Sequence, residues 1–188
     1  SLPAFLTSVC QHVEKVSVNR FQNAAFRRVP FQRKIGAGLS LEAFEKKKQE
    51  GTLRHVGLTE SMQFIASKLG WRLDATEDVI SPVIATEDIH TESMDIQKGD
   101  AMGVCQVGKG WVNGDEKITL TFQAAVGESE SYDEVQITGT PNVTSRIEGG
   151  VNGDVATCAI TINAIAQILN AKPGLRTMGD LPLTSYFD

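Results

Sequence analysis

The chain has 188 residues, of which 41% are hydrophobic and 22% charged, and its formal net charge is −5. That length can bury a real core within one domain, and the composition is ordinary for a globular protein. The acidic balance excludes a surface given over wholly to nucleic acid, and the lack of an apolar run near ~18 residues excludes a membrane-spanning helix.

Leu2 to Val13 reads as a short helix with Pro3 tolerated in its first turn. The segment lacks the basic leader of a signal peptide, and a chain that begins at Ser1 reads as an excised piece of a longer protein. Cys10, Cys105 and Cys158 stand far apart with no C-x-x-C pair. Reduced thiols and a cytoplasmic location are therefore expected, and the sequon at Asn142 is a chance match. His12, His55 and His90 lack ligand spacing, so no metal site is expected.

From Glu14 onward, Val16 and Val18 alternate with polar residues as in a half-buried strand. Lys15 to Lys34 then carries Lys15, Arg20, Arg27, Arg28, Arg33 and Lys34 with no acid, interleaved with Phe21, Phe26 and Phe31. Phenylalanine at a spacing of five serves neither a strand face nor a helix face consistently. An anionic small molecule is favoured over nucleic acid for this stretch.

Arg33 to Ser40 (RKIGAGLS) is the most informative run. Arg33 and Lys34 set two positive charges beside a turn in which Gly36 and Gly38 can take positive φ or admit a ligand to the backbone. Ser40 offers an N-cap to a helix over Leu41 to Gln49, and a capped helix start suits a carboxylate or phosphate. The alternative is an ordinary loop entering a surface helix. A second helix spans Glu60 to Leu69, with Met62, Ile65, Ala66 and Leu69 on one face and Gly70 as its stop. His55 to Ser61 forms a polar cluster at its entry, where Glu60 also suits the helix dipole.

Trp71 to about Ile147 reads as strands. Ile118, Leu120, Phe122, Ala124 and Val126 point one way, while Thr119, Thr121, Gln123 and Ala125 point the other. Asn113-Gly114 predicts a two-residue hairpin turn. Val135 and Ile137 repeat the alternation, and Val143, Ser145 and Ile147 echo it after a turn at Gly139 to Pro141. Asp74 to Asp100 is acidic and reads as a solvated rim. Val155 to Leu169 carries no charge and predicts a buried helix lying against the sheet. The order of elements gives an α+β fold, an open mixed and mostly antiparallel sheet with helices packed on one face.

Two glycine patterns fall short of a dinucleotide fingerprint. Gly36 to Leu41 lacks a third glycine and a parallel β-α-β setting, and Gly108 to Gly110 runs into a hairpin. No nucleophile elbow or phosphate loop is present either.

Five strings occur in one order over nearly the whole chain: Arg33 to Ser40, Arg54 to Ser61 (RHVGLTES), Val107 to Gly110 (VGKG), Arg146 to Asp154 (RIEGGVNGD) and Asn170 to Pro182 (NAKPGLRTMGDLP). Together they resemble the C-terminal domain of dihydrodipicolinate-reductase-like oxidoreductases, nearest to the NAD(P)-dependent 2,4-diaminopentanoate dehydrogenases. The resemblance implies a fold like the C-terminal domains of dihydrodipicolinate reductase and glyceraldehyde-3-phosphate dehydrogenase. It implies that residues 1–188 form one substrate-binding and oligomerisation domain, with NAD or NADP held mainly by an N-terminal Rossmann domain absent from this chain. The fragment alone is then expected to be inactive.

The paired histidines of true dihydrodipicolinate reductases have no counterpart between Val29 and Ser40. Oxidative deamination of an amino-acid-like substrate of the 2,4-diaminopentanoate type is therefore the expected activity. A dihydrodipicolinate-reductase-type enzyme and a non-catalytic sensing or dimerisation module are the alternatives. The resemblance places Lys34 on the family's lysine and Gly36 to Ser40 on its carboxylate-binding turn. Expected substrate contacts are Arg33, Gly36, Ala37, Gly38, Leu39 and Ser40 for the carboxylate and Glu60 for the ammonium, with Lys34 or His55 as acid/base. A homo-oligomer through the outer sheet face is expected, with no nucleic-acid or membrane partner.

Overall fold

The computed structural model describes residues 1–53 and 56–186. Its strands in chain order are β1 (His12–Asn23), β2 (Ala75–Ile84), β3 (Ile89–His90), β4 (Asp95–Ile96), β5 (Ala101–Val112), β6 (Asp115–Ala125), β7 (Tyr132–Thr140) and β8 (Val143–Glu148). Six of them form one sheet in the order β2-β5-β6-β1-β7-β8, while β3 and β4 pair as a small separate ribbon. β1 runs parallel to β6, and the remaining neighbours in the sheet are antiparallel. The helices are α1 (Leu2–Leu6), α2 (Val29–Lys34), α3 (Leu41–Gln49), α4 (Leu58–Lys68), α5 (Gly153–Asn163) and α6 (Ile165–Leu169). The α+β class and the mixed, mostly antiparallel sheet are as expected.

Period-two alternation gives the sheet two distinct faces. The inner face carries Val16, Ile118, Leu120, Phe122, Val135 and Ile137, all buried. α4 packs on it because β5 is bare there. A Cβ added at Gly108 would lie 2.9 Å from both Leu58 and Met62. The missing side chain thus leaves the seat that these two residues fill. Phe44 of α3 and Leu53 extend the same core. Asn113 and Gly114, with φ of 53° and 82°, make the tight turn between β5 and β6 that their sequence predicts.

The helix expected over Val155 to Leu169 is corrected. It is broken into α5 and α6, and neither has a buried residue. Val155, Ile162 and Leu169 are 67%, 57% and 78% exposed. Absence of charge marks a helix that needs cover, but the described residues do not provide it. The first helix is also shorter than expected: α1 ends at Leu6, a single 3-10 turn follows, and β1 starts at His12. α2, inside the basic stretch, has no apolar period to announce it. Among the described residues, no group of three His, Cys, Asp or Glu side chains gathers as if for a metal ion, and no helix is long and apolar enough to cross a membrane.

Candidate substrate site

The inner face changes character along β1. Val16 and Val18 are followed on the same side by Arg20 and Gln22, so the apolar surface turns polar at the strand's C-terminal end. Arg20 lies opposite Asp133 of β7 in the register. Its guanidinium reaches Asp133 Oδ1 at 3.3 Å and donates to the Val151 carbonyl at 2.6 Å. The Val151 N–H donates in turn to Asp133 Oδ2 at 2.6 Å. This closed set of contacts ties the segment after β8 to the end of β1. Asn152 then caps α5, its Oδ1 accepting from the Asp154 and Val155 N–H groups.

After β1 the chain must turn sharply. Asn23 Oδ1 accepts the Ala25 N–H at 2.9 Å and starts a 3-10 turn over Ala24–Phe26. Gln32, 1% exposed on α2, donates to the Ala25 and Arg27 carbonyls at 3.2 and 2.9 Å. Its Oε1 accepts from the Ser93 hydroxyl at 3.0 Å. A buried amide with donors and acceptor all engaged is a rigid tie. It fixes the backbone that carries Arg27. The Arg27 guanidinium lies 4.5 Å from the Phe31 ring centroid and 3.6 Å from Asp154, and Arg28 approaches Asp154 at 3.4 Å.

Of these residues Arg20, Arg27, Phe31, Asp133 and Val151 line a groove of about 790 Å³ between the sheet, α2, α4 and α5, and Asp154 and Arg28 stand beside its Arg27 end. Arg20, Gln22 and Arg27 supply its polar end, Phe31, Phe64 and Phe122 its apolar walls, and Glu60 and Ser61 come from the first turn of α4. A cationic end, an apolar body and a carboxylate are the elements that recognise an amphoteric small molecule.

Of the residues singled out in the sequence, Glu60 lines this groove, as do Arg20, Arg27 and Phe31 of the basic stretch. Arg33 and Lys34 are exposed at the last turn of α2 and are not among the lining residues. His55 lies outside the described residues. The turn from Gly36 to Leu39 is built as a strut, and the N–H groups of Gly36 to Leu39, expected to meet a carboxylate, are engaged within the protein. The Gly38 N–H donates to the Ala101 carbonyl at 2.9 Å, the Leu39 N–H to Gly36 at 3.3 Å and the Ala37 N–H to Gln32 at 3.1 Å. Ala101 returns its N–H to the Leu39 carbonyl at 2.9 Å. Gly36 faces Leu53 and Phe44, with no room for a ligand. Ser40 does cap α3, accepting the Ala43 N–H at 3.2 Å. Sequence reasoning passed over Gln32, Asp133 and Asp154, whose pattern signals nothing until the ends of β1 and β8 are brought together.

The fold is an α+β domain built on a mixed sheet, with a groove at the C-terminal end of β1. The same fold occurs in an amine dehydrogenase from Mycobacterium smegmatis, with a TM-score of 0.85 at 18% identity, over 100% of this chain and 56% of that one. The sequence matches the 2,4-diaminopentanoate dehydrogenase C-terminal domain family over residues 1–187, and the chain belongs to that oxidoreductase family. It is 32% identical to the 2,4-diaminopentanoate dehydrogenase of Acetoanaerobium sticklandii over 97% of this chain and 53% of that protein. The chain thus spans about half the length of the curated relative it matches.

Proposed function

We propose that this chain is the substrate-binding half of an NAD(P)-dependent dehydrogenase that oxidatively deaminates an amino-acid-like substrate of the 2,4-diaminopentanoate type. The observation that carries the reading is the groove at the end of β1, with guanidinium groups at one end and the Glu60 carboxylate at its rim, in a member of this family. Charge complementarity of this kind orients a zwitterionic ligand, and orientation is what the protein adds to a cofactor's chemistry.

The described residues do not fit the cofactor itself. The Gly36 to Leu39 turn is hydrogen-bonded internally and to Ala101. Gly108 and Gly110 are roofed by Leu58, Met62 and Leu73. Neither can cradle a pyrophosphate. NAD or NADP is assigned instead to a part of the protein outside this chain. Within the reading, Glu60 is the ammonium partner, and Lys34, one helical turn beyond Phe31, or His55 handles the proton. The assembly is a homo-oligomer through the outer sheet face.

The test is a screen of amines with the full-length protein, following reduced nicotinamide by absorbance. Turnover of a 2,4-diaminopentanoate-type substrate is expected. No turnover of any amino-acid amine with either cofactor would overturn the reading.

A further inference from the structure

The geometry points to Asp154 as a built-in stand-in for the ligand's carboxylate: Arg27 and Arg28 release it and take the carboxylate of an amino-acid ligand in its place. This rests on the proposal that the groove receives an amino-acid substrate.

Three guanidinium groups meet two carboxylates at this end of the sheet. Arg20 and Asp133 are closed on each other and on the Val151 peptide. Arg27 and Arg28 share what remains, reaching Asp154 at 3.6 and 3.4 Å through different carboxylate oxygens. Charge-assisted contacts between such groups close to about 2.7–2.9 Å when well formed. The Arg27 side chain is only 17% exposed, yet its other polar contact, to Gln22 Oε1, is also long at 3.4 Å. A guanidinium withdrawn from water and held by loose partners gains from any acceptor that fits its fork better.

The surroundings favour exchange over a fixed ion pair. Phe31 under the Arg27 guanidinium fixes its plane without neutralising it. Gln32 anchors the Arg27 backbone from the other side. Asp154 is 54% exposed and Arg28 82%, so parting them opens no core. Once displaced, Asp154 remains in the first turn of α5, where the helix dipole favours a negative charge in water. The Asp154 and Val155 N–H groups at that helix start are engaged by Asn152, which leaves the arginine pair as the main receiver of the anion.

The experiment uses the full-length protein and two probes that share a branched amine carbon, 4-aminopentanoate with a carboxylate and 2-aminopentane without one, each titrated by calorimetry. Asp154→Asn removes the internal competitor, and it is expected to tighten 4-aminopentanoate several-fold while leaving 2-aminopentane unchanged. Arg27→Gln is expected to weaken 4-aminopentanoate about tenfold or more, as loss of a charged hydrogen-bond partner does, again sparing the amine probe. Arg28→Gln, at the exposed rim, repeats the direction at smaller size and carries the test if Arg27→Gln fails to melt cooperatively. Equal affinity of the carboxylate probe for wild type and Asp154→Asn, or indifference to both arginine changes, overturns the exchange. If amines are oxidised while that pattern is missing, the exchange alone falls. If the pattern holds but no amine is oxidised, the dehydrogenase reading falls and the exchange stands. Binding of neither probe removes both.

Discussion

At Gly36 φ is +80°, and an added Cβ would lie 2.8 Å from Leu53 Cδ1 and 2.9 Å from Phe44 Cδ2. Both neighbours are core residues at 1% exposure and cannot retreat cheaply. Gly36→Ala combines left-handed strain with overpacking and is expected to cost about 2 kcal/mol or more. A denaturant midpoint within error of wild type would show that the turn relaxes. Lys34 has the opposite character, being exposed at the end of α2. The proposed proton-handling role predicts that Lys34→Ala lowers turnover of the full-length protein by about 10²- to 10⁴-fold with melting unchanged. A loss smaller than about tenfold would make it a solvated lysine. Glu116 offers a titration. The Lys15 ammonium at 2.5 Å and the Thr119 hydroxyl hold its carboxyl down from 4.5 to about 2. A carboxyl depressed in the folded state contributes stability that is present above its unfolded value and lost as pH falls toward its folded one. The stability difference between wild type and Glu116→Gln should therefore shrink as pH falls from 4.5 to about 2. A pH-independent difference in urea midpoints would remove Glu116 from the acid response.

Among the elements, α4 and α5 make a controlled contrast. Met62 of α4 is 1% exposed over the bare strand β5, whereas Ile162 of α5 is 57% exposed. In the 188-residue chain, Met62→Ala should cost about 2–5 kcal/mol, and Ile162→Ala should stay within about 0.5 kcal/mol. Comparable losses would mean that α5 packs in solution. The same contrast shows what a sequence can carry. Helix periodicity in α4 names the residues that meet the sheet, and Asn113-Gly114 names its turn, because both signals are local. The uncharged run of α5 states a need for cover without saying what supplies it. The parallel pairing of β1 with β6 leaves no local mark at all. In the site, the turn chemistry of the glycines and Ser40 suits an anion. Ala101, distant in sequence, takes the Gly38 N–H that such a ligand would need. Arg27 and Arg28 are legible in the sequence as second candidates for the carboxylate after the glycine turn, and Gln32 and the distant Asp154 give Arg27 its setting.

For the whole molecule, the outer sheet face is the surface proposed to carry assembly. One row across it runs Val79, Val107, Thr121, Asn19, Glu134, Arg146 in register, and the next runs Ser81, Cys105, Gln123, Phe21, Tyr132, Glu148. Its centre is small, uncharged and β-prone. Phe21 and Tyr132 are stacked, with centroids 4.9 Å apart, and Arg146 lies 3.7 Å from the Tyr132 ring. Several charges around it are paired within the chain: Lys15 and Lys109 on Glu116, and Arg146 on Glu130, Glu134 and Glu148. Paired charges repel a second copy less than single-sign charges do, so the usual guard against sheet-to-sheet contact is weak here. The chain is therefore expected to self-associate through this face, and Thr121→Lys should abolish the contact. Thr121 lies between Val107 and Asn19 in the middle of the sheet. A lysine there puts an unpaired ammonium at the centre of a symmetric interface, facing its own copy. Light scattering at about 10 µM, where a micromolar interface holds, should give a multiple of the chain mass for wild type and the single-chain mass for Thr121→Lys. A wild-type monomer unchanged on concentration would assign the uncharged centre to something other than a second copy. An oligomer that survives the lysine would move the contact elsewhere, with the exposed apolar side of α5 and α6 as the next surface to test.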